Sequence, residues 1–587
     1  MKNISDKNDQ EVLIQFDKRV SRINLICPIN TNNIFFSSEK QKLIISGYPR
    51  INSPSPMINI KDLIVHNKRL KDIDGSFLII EIISNNSIKI ITDRFLSKKI
   101  YIYNTISDII LGTNLSKLSK YIISKKLSLR INDNAIYEFL YFRRLFGKKT
   151  LFKEISLLEP ATITNITNKD LEIHKYWHSE YSESLTDSLA AENLAFELRE
   201  SVNSTFSENE NFNLLLSGGL DARAILAAKN PKNCFTICPT RNNEAQVAEL
   251  LSLTSNTPFK FIERIKKTYD DNYSECLNIL DGEYAIVGLT FMGYKDQLRY
   301  SPNVNSVFTL GLYLDVLFGG LYLPKTYKKI GSYETSIYKL DTLPDDITSY
   351  FINNVKYKMK NFNINSLINV NKLENVKDHL YNEIEKLIKE EKKYTNNPYN
   401  IWESLHFKPA SRHYSYAMIK SIETFSKCKI PAFSNKLLDL SRQMTPEQKI
   451  NSKVYKKAIS ILDSDLITIA NANSNVRAKR SAYEETAIIL LRKILKKYFG
   501  IRTKLPPRRA DRSWVSVFNI IEENGKLKQD IMNLQNNKYI NQSDIFSMDY
   551  IRNLVKNFEN GNKENAILLS YMASLESFFK NIYKNNE

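Results

Sequence analysis

A short segment near the middle of the chain, NFNLLLSGGLDARAILAA (211–228), brings together residue types that can bind a phosphate group. An apolar run ends at Ser217, Gly218 and Gly219, and Asp221 follows at the start of a helix-forming stretch. Glycine has no Cβ, so backbone N–H groups at these two positions can approach an anion closely. The following helix would point its N-terminal N–H groups at the same anion, and Ser217 adds a hydroxyl. The segment therefore predicts a phosphate-binding turn after a buried strand.

Asp221 needs its own explanation, because a carboxylate that faces a phosphate repels it unless a cation lies between them. Ligation of Mg²⁺ is one interpretation, since this ion is bound by carboxylates together with phosphate oxygens. The other interpretation is an ordinary strand-to-helix turn in which Asp221 caps the helix. A glycine-rich turn taken alone does not decide between the two.

The elements around the turn predict where it lies. From about residue 186, short apolar runs alternate with helix-forming stretches. The strands are FNLLLS, CFTICP and FKFIERI, and the helices are LTDSLAAENLAFELRESVNSTF, DARAILAAK and NEAQVAELLSL. This alternation predicts a parallel sheet of βαβ units, whose ligands bind at the carboxyl ends of the strands. Beyond about residue 340 the pattern is mostly helical.

The first part of the chain has a different pattern. Short β-branched runs bounded by turn residues, KLIISG, GSFLIIEII, IKIITDRF and KIYIYN, predict an antiparallel sheet domain with a few helices. A chain of 587 residues is also too long for one ordinary core. We therefore predict two domains, 1–183 and 184–587, in a protein of the α+β and α/β classes.

Composition limits the possible partners. The formal net charge is +19, with lysine spread over many segments and one denser cluster at Lys496–Arg512. That cluster is interpreted either as a solvated surface or as a surface for an anion or partner.

The five cysteines are scattered and form no zinc pattern, and Cys234 and Cys238 are expected to be buried thiols. A polar N-terminus and the lack of a long apolar run predict a cytoplasmic protein without a membrane partner.

Several further segments, in order along the chain, resemble the asparagine synthetase-like family of ATP-cleaving ligases. In that family SGGLD is the loop that binds the pyrophosphate of ATP. The similar segments are DGSF (74–77), DRFLSKKIYIY (93–103), KKTLFKEISLLEPAT (148–162) followed by KYW, NNEAQVAELL with Glu244, LGLYLDVLFGG (310–320), KIPAFSNKLLDL (429–440) and VRAK (476–479). Together they cover most of the chain.

The resemblance implies a fold and a reaction. The first domain would be an Ntn-hydrolase-like antiparallel sandwich, and the second a doubly wound, adenine nucleotide α-hydrolase-like parallel sheet with a helical C-terminal part. A carboxylate would attack the α-phosphate of ATP, pyrophosphate would leave, and an amine would displace AMP from the acyl-adenylate to form an amide. ATP and Mg²⁺ are the implied cofactors.

The same resemblance assigns roles to residues. Asp221 and Asp315 would hold Mg²⁺, and Lys479, with Arg477, would neutralise pyrophosphate or the tetrahedral intermediate. ATP or pyrophosphate would be bound by residues of three strand ends, namely Leu216, Ser217, Gly218, Gly219, Asp221, Ile237 and Gly311.

Departures from the family pattern affect the choice of reaction. Family glutaminases use a cysteine exposed at the mature N-terminus, whereas here Lys2 is second and the first cysteine is Cys27. We therefore expect that glutamine hydrolysis is lost and that another amine attacks. Ala222 and Val316 replace the usual serine and glutamate that follow the two metal-binding aspartates, which admits a non-catalytic homologue.

Relatives without a glutaminase close rings, as β-lactam synthetases and lasso-peptide macrolactam cyclases do. The β-lactam enzymes pair a tyrosine with a glutamate, but here the tyrosine position is Leu312, with Tyr313 beside it, and Glu423 is the candidate glutamate. Peptide cyclisation or amidation is favoured, because holding an amine beside an acyl-adenylate needs little further catalysis.

The expected partners follow from that preference. They are a carboxylate and an amine substrate, with a precursor peptide and its leader protease as one case. Asparagine synthesis from free ammonia is an alternative, as is a transfer-RNA modifying enzyme, because such enzymes also contain pyrophosphatase loops. No aromatic-rich basic RNA motif is present, so no nucleic acid is expected. Neither substrate identity nor oligomeric state follows from the sequence.

Overall fold

A computed structural model of the chain describes residues 11–18, 22–25, 34–37, 42–51, 70–167, 170–182, 185–208, 210–264, 268–284, 298, 307–331, 333–360, 363–507, 517–542 and 544–584. Cys27, the domain boundary predicted after residue 183, and the end of the basic cluster from residue 508 lie outside the described residues.

Two antiparallel sheets form the first part of the molecule. Their spatial orders are β2-β1-β8-β7-β9 and β11-β10-β6-β5-β4-β3. The strands are β1 (Leu13–Asp17), β2 (Arg22–Leu25), β3 (Ile34–Ser37), β4 (Lys42–Arg50), β5 (Asp74–Ser84), β6 (Ser87–Thr92), β7 (Tyr101–Asn104), β8 (Asp108–Gly112), β9 (Ile155–Leu157), β10 (Thr162–Thr167) and β11 (Leu171–Lys175). The antiparallel region predicted from the β-branched runs is confirmed.

Alternation of side chains explains how these sheets pack. In β1, Ile14 and Phe16 lie in the core between the two sheets, whereas Leu13 faces the opposite side. On that opposite side the five-stranded sheet packs against two helices, α1 (Leu115–Ser124) and α2 (Asp133–Phe142). The result is a sandwich of two sheets with helices on one outer face.

A parallel sheet follows in the second part of the chain. Its order is β14-β13-β12-β15, and every neighbouring pair is parallel. The strands and the helices around them are β12 (Phe212–Leu215), β13 (Asn233–Cys238), β14 (Phe259–Glu263), β15 (Val307–Thr309), α3 (Asp187–Thr205), α4 (Leu220–Ala228), α5 (Asn243–Thr254), α6 (Thr268–Ile279) and α7 (Leu314–Phe318). The parallel sheet predicted from alternating strands and helices is confirmed, and Cys234 and Cys238 are buried in it as expected.

After the parallel sheet, a hairpin of β16 (Lys325–Ile330) and β17 (Tyr333–Leu340) precedes a helical region, as predicted for the chain beyond residue 340. The helices are α8 (Ile347–Asn354), α9 (Ile364–Leu367), α10 (Val370–Glu391), α11 (Pro398–Phe407), α12 (Tyr416–Glu423), α13 (Asn435–Gln443), α14 (Pro446–Lys449), α15 (Lys453–Leu462), α16 (Ala482–Phe499), α17 (Val517–Glu523), α18 (Gly525–Met532), α19 (Met548–Glu559) and α20 (Ala566–Tyr583).

One hydrophobic core joins the first sheets to the last helices. Phe139 and Phe152 from the N-terminal part belong to the same buried cluster as Phe578 and Phe579 of α20. The rings of Phe152 and Phe579 meet edge to face, with centroids 5.6 Å apart. None of the described helices combines the length and the apolar character that crossing a membrane requires.

Candidate functional site

The predicted phosphate-binding turn lies at the carboxyl end of β12. Leu216 continues the strand, because its N–H donates to the Phe235 carbonyl at 2.8 Å and its carbonyl accepts from the Thr236 hydroxyl at 2.6 Å. The chain then turns at Ser217 and Gly218, and α4 begins after Gly219, which as N-cap supplies no side-chain hydrogen bond. Within the described structure, the start of α4 is therefore left without a side-chain cap.

The two glycines of the turn meet different surroundings. A Cβ at Gly218 would overlap the Cβ of Ala472 and would lie 3.2 Å from the Cβ of Val247. A Cβ at Gly219 would have the Ser217 hydroxyl oxygen, at 3.4 Å, as its only near neighbour among the described residues. Gly218 thus allows close packing of a distant segment, whereas Gly219 keeps the exposed side of the turn open.

Asp221 and Asp315 are brought together because β12 and β15 are adjacent parallel strands whose carboxyl ends share one edge. Gly311, just after β15, packs so closely on α4 that a Cβ there would lie 2.6 Å from the Cβ of Asp221. Asp315 stands in the first turn of α7, and its carbonyl accepts from the Gly319 N–H at 2.9 Å. Two predicted metal ligands, far apart in sequence, thus face one location.

The electrostatics of the two aspartates fit a site for a cation. Burial, followed by the charge of Asp315, raises the pKa of Asp221 well above its usual range, although a 3.1 Å hydrogen bond from the Tyr455 hydroxyl opposes this. Burial raises the pKa of Asp315 to about 6. Two carboxylates that resist ionisation beside each other are stabilised by a bound divalent ion.

The number of ligands also bears on which cation fits. Among the described residues, no group of three or more His, Cys, Asp or Glu side chains could hold a metal ion. Mg²⁺ is commonly bound by one or two carboxylates, with phosphate oxygens and waters completing its shell. The donor set of Asp221 and Asp315 therefore fits Mg²⁺ that arrives with a nucleotide better than a metal held by protein alone.

Arg223, which the sequence analysis missed, ties the turn to a segment far along the chain. Its buried guanidinium donates to the carbonyls of Leu466, Ile469 and Ala470 at 3.1, 2.8 and 3.0 Å, and to the carbonyl of Gly218 at 3.4 Å. Burial lowers the pKa of Arg223 to about 10. No local pattern indicates this role, because the partners are fixed only by the tertiary fold.

The segment held by Arg223 carries the predicted basic residues. Ala472 N–H donates to the Gly218 carbonyl at 3.2 Å, and Ala470 bridges Arg477 in an antiparallel pair. The Lys479 N–H donates to the Ile467 carbonyl at 3.0 Å, while the side chains of Arg477 and Lys479 are exposed. The structure thus places the VRAK segment beside the glycine turn, with its cationic groups accessible.

The remaining predicted nucleotide residues lie at the same sheet edge. Leu216 is buried at the end of β12, and Ile237, which is 9% exposed, lies near the end of β13. Glu244 occupies the first turn of α5, where the Asn242 side chain accepts from its N–H at 3.1 Å. The Asn243 amide donates to the Ala472 carbonyl at 2.6 Å, so α5 also contacts the basic segment.

Glu423 has a different environment from the other predicted catalytic residues. One carboxylate oxygen accepts from the Lys98 ammonium and the other from Lys420 at 3.1 Å. The two lysines overcome the effect of burial and hold the pKa of Glu423 at about 2. Tyr313 donates to the Ala410 carbonyl at 2.6 Å. Among the described contacts, Glu423 pairs with lysines and Tyr313 with a carbonyl, and the two do not pair with each other. The catalytic role of Glu423 stays a prediction.

Lys325 is a second residue that the sequence analysis missed. Its ammonium donates to the Gly320 carbonyl, and its charge lowers the pKa of Asp315. Burial and the charge of Lys356 lower the pKa of Lys325 to about 8, against the opposing charges of Glu403 and Asp315. The lysine lies only five residues after Gly320, so this contact is local, but no recognised motif marks it.

Comparisons with known proteins give weak likenesses. No protein-family model matches the chain, and no curated protein is similar to it in sequence. Glutamine phosphoribosylpyrophosphate (PRPP) amidotransferase from B. subtilis, complexed with ADP and GMP, is similar over 43% of this chain, with 8% identity and a TM-score of 0.18. A structure of the allosteric regulatory enzyme of purine biosynthesis is similar over 39%, with 9% identity and a TM-score of 0.16. The chain spans 59% and 46% of those two chains, and both TM-scores are too low to establish a shared fold.

Proposed function

We propose that the protein is an ATP-dependent amide ligase of the asparagine synthetase-like type, which releases AMP and pyrophosphate. The observation that carries the proposal is the pairing of Asp221 with Asp315 beside a glycine-lined turn at the carboxyl edge of a parallel sheet. The proposal includes the finer fold assignments, an Ntn-hydrolase-like first domain and a doubly wound, adenine nucleotide α-hydrolase-like second domain. We also propose that the protein acts in the cytoplasm, where ATP is available.

The residues of the site have distinct tasks in this reaction. The uncapped start of α4 and the open side of Gly219 bind the phosphates of ATP. Mg²⁺ held by Asp221 and Asp315 would offset the charge that develops on the leaving pyrophosphate. Arg477 and Lys479, exposed beside the turn, neutralise pyrophosphate or the tetrahedral intermediate. Arg223 does not touch substrate; it positions the segment that carries these two cations.

The carboxylate substrate attacks the α-phosphorus of ATP, the bond between the α- and β-phosphates breaks, and an acyl-adenylate forms as pyrophosphate leaves. An amine then attacks the acyl carbon, loses a proton, and expels AMP. We propose an amine other than glutamine-derived ammonia, in a peptide or natural-product pathway such as lasso-peptide macrolactam formation. Ammonia-dependent asparagine synthesis and β-lactam-like ring closure are the alternatives, and the described contacts of Tyr313 and Glu423 do not supply a dyad for the latter.

ATP–pyrophosphate exchange across a panel of carboxylic acids and acidic peptides tests the adenylation step. Asp221→Asn and Asp315→Asn should each abolish exchange. Either change removes a carboxylate ligand of the Mg²⁺ that would bind pyrophosphate. Asp378→Asn, on the exposed surface of α10, is the matched control and should exchange at the wild-type rate. Release of ADP instead of AMP, or exchange that survives in both site variants, would contradict the proposal.

The source of the amine is tested separately. Glutamine should neither speed turnover nor yield glutamate, because the proposed nucleophile is an amine other than glutamine-derived ammonia. The measurement is glutamate release with the carboxylate substrate, ATP and glutamine present. Stoichiometric glutamate would show that the first domain has kept a glutaminase.

A further inference from the structure

Helix α16 carries large apolar side chains on a face that is exposed to solvent. Leu491, Ile494 and Tyr498 are 56%, 47% and 68% exposed. A single exposed apolar residue is ordinary on a protein surface, whereas a run of them along one face marks a site of interaction. Phe499 and Ile501 are exposed at the end of the same helix and just beyond it.

The spacing of these residues indicates what kind of surface they form. Leu491, Ile494 and Tyr498, together with the exposed Ala487, recur at intervals of four, three and four positions. At 3.6 residues per turn the four lie within roughly 60° of one another around the helix axis. We call these four residues the α16 seam. A stripe this narrow is typical of a contact between two helices, whereas the apolar face of a helix on a protein core spans about 100° or more.

The other side of α16 anchors the helix to the molecule. Thr486 and Ile489 are buried there, and the Thr486 hydroxyl accepts from the Ser336 N–H of β17 at 3.1 Å. A capping box that begins at Ser481 starts the helix, and Gly500 ends it in the left-handed conformation. The seam is therefore presented on a preformed helix, which a partner does not have to order on binding.

The surface around the seam is cationic. Residues 486–507 contain six Lys and Arg residues and no Asp or Glu. Arg492 is held within the molecule, because it donates to the carbonyls of Asn475 and Lys504 at 2.8 and 2.9 Å. The other cations of the segment are exposed, namely Lys493, Lys496, Lys497, Arg502 and Lys504. A partner that covers the seam must therefore bring negative charge to its edges.

A second copy of this chain does not supply that charge. In a parallel pairing of two α16 helices, the same lysines would face each other. In an antiparallel pairing, the cationic end would face the first turn of the other helix, where both acids are already engaged. Glu484 binds the Arg480 guanidinium and the Ser481 N–H, and the half-buried Glu485 interacts electrostatically with Lys456.

We propose that the α16 seam docks an amphipathic α-helix of another protein, with apolar residues at the a and d positions of a heptad and acidic residues beside that stripe. Leu491, Ile494 and Tyr498 pack between the apolar side chains of the partner helix, and Lys493 and Lys497 pair with its carboxylates. The inference goes beyond the proposed ligase reaction and does not depend on it. It assigns the described part of the basic cluster to a partner surface.

Fluorescence anisotropy with two labelled synthetic peptides tests the docking surface on the full-length chain. The first peptide is about three heptads long, with Leu at positions a and d and Glu at e and g, and the second has Lys in place of each Glu. We expect the Glu peptide to bind wild type about tenfold more tightly than the Lys peptide. The difference should shrink as the salt concentration is raised, because salt screens exposed charges.

Two substitutions locate the binding on the seam. Ile494→Asp should weaken binding of the Glu peptide about tenfold, since it places a carboxylate among the acids of the peptide. Ile461→Asp, at the similarly exposed Ile461 of α15, is its matched control. Lys497→Glu should weaken binding to a similar degree, with the exposed Lys372→Glu of α10 as control. Thermal unfolding verifies that each variant is folded, and Lys497→Glu supplies the test if Ile494→Asp does not fold.

Several outcomes would overturn the inference. It is wrong if the Glu peptide does not bind wild type, if both peptides bind equally, or if Ile494→Asp and Lys497→Glu both bind like their controls. Co-sedimentation with mixed phosphatidylcholine and phosphatidylglycerol vesicles that is lost in Ile494→Asp, without peptide binding, would assign the seam to a membrane surface. A dimer in analytical ultracentrifugation that Ile494→Asp dissociates would assign it to a second copy. Either result would exclude a helix of another protein as the occupant.

Discussion

Asp315 and Asp221 are partly buried acidic side chains, and the charge of Asp315 makes ionisation of Asp221 harder. Burial raises the pKa of Asp315 to about 6, from an ordinary value of 3.8. An acid whose pKa is raised by folding favours the folded state only while it is protonated. The free energy of unfolding should therefore fall as the pH rises from about 4 to about 6, and the penalty persists at higher pH.

Replacing Asp315 with asparagine removes this penalty. We predict that Asp315→Asn has a higher free energy of unfolding than wild type at pH 7.5, and that the difference shrinks as the pH falls toward 4. Urea denaturation at several pH values, without Mg²⁺, measures this, with Asp378→Asn as the control. A variant less stable than wild type at pH 7.5 would show that the carboxylate has a stabilising partner.

The turn after β12 and the segment from 466 to 479 form one assembly, because Gly218 packs beneath Ala472 and Arg223 holds the carbonyls of that segment. The conformation of the turn and that of the segment 466–479 therefore depend on each other. The two glycines should therefore respond differently to the same added methyl group.

Gly218→Ala and Gly219→Ala form a matched pair. Gly218→Ala should lower the free energy of unfolding by about 1–3 kcal/mol, because its Cβ would overlap Ala472 and push the basic segment away. Gly219→Ala should change stability little but weaken MgATP binding, since its methyl group would occupy the open side of the turn. Urea denaturation and calorimetric titration with MgATP measure both effects. Equal destabilisation by the two changes would contradict this division.

The local elements of the site could be predicted from the sequence, since strand and helix periodicity and the glycine turn are encoded within about twenty residues. The meeting of Asp221 with Asp315 followed only from the family resemblance. The Arg223 contacts could not be predicted, because Arg223 and its partner Ala470 are separated by 247 residues. Tyr455 was missed for the same reason, because it is 234 residues from Asp221 and tertiary packing brings the two together.

Across the whole molecule, the segments DGSF and DRFLSKKIYIY contact later parts of the chain. Asp74 of DGSF accepts from the Asn435 N–H at 2.6 Å, and Arg94 of DRF forms an ion pair with Asp439 at 2.9 Å. Lys98 binds Glu423, and the buried Lys99 lies 3.3 Å from both Asp281 and Glu283. These contacts give the two segments a structural role, because they join the N-terminal sheets to later parts of the chain.

Lys99→Met tests that role. It would leave Asp281 and Glu283 buried without their cation, so we predict a loss of about 3–5 kcal/mol in the free energy of unfolding.

Because Phe152 and Phe579 share one core, unfolding in urea should also occur in a single transition for both parts of the chain. Far-UV circular dichroism and tryptophan fluorescence measure the transition, with the exposed Lys372→Met as control. Two separate transitions would show that the domains unfold independently.

The packing of Gly218 beneath Ala472 has a consequence for synthesis on the ribosome. The turn leaves the ribosome well before its partner segment, because Arg223, in the helix that follows the turn, and its partner Ala470 are 247 residues apart. At typical translation rates this delay is roughly 10–50 s. During that interval the turn lacks the segment that packs against it, so its final geometry can form only after Ala470 and Ala472 have emerged.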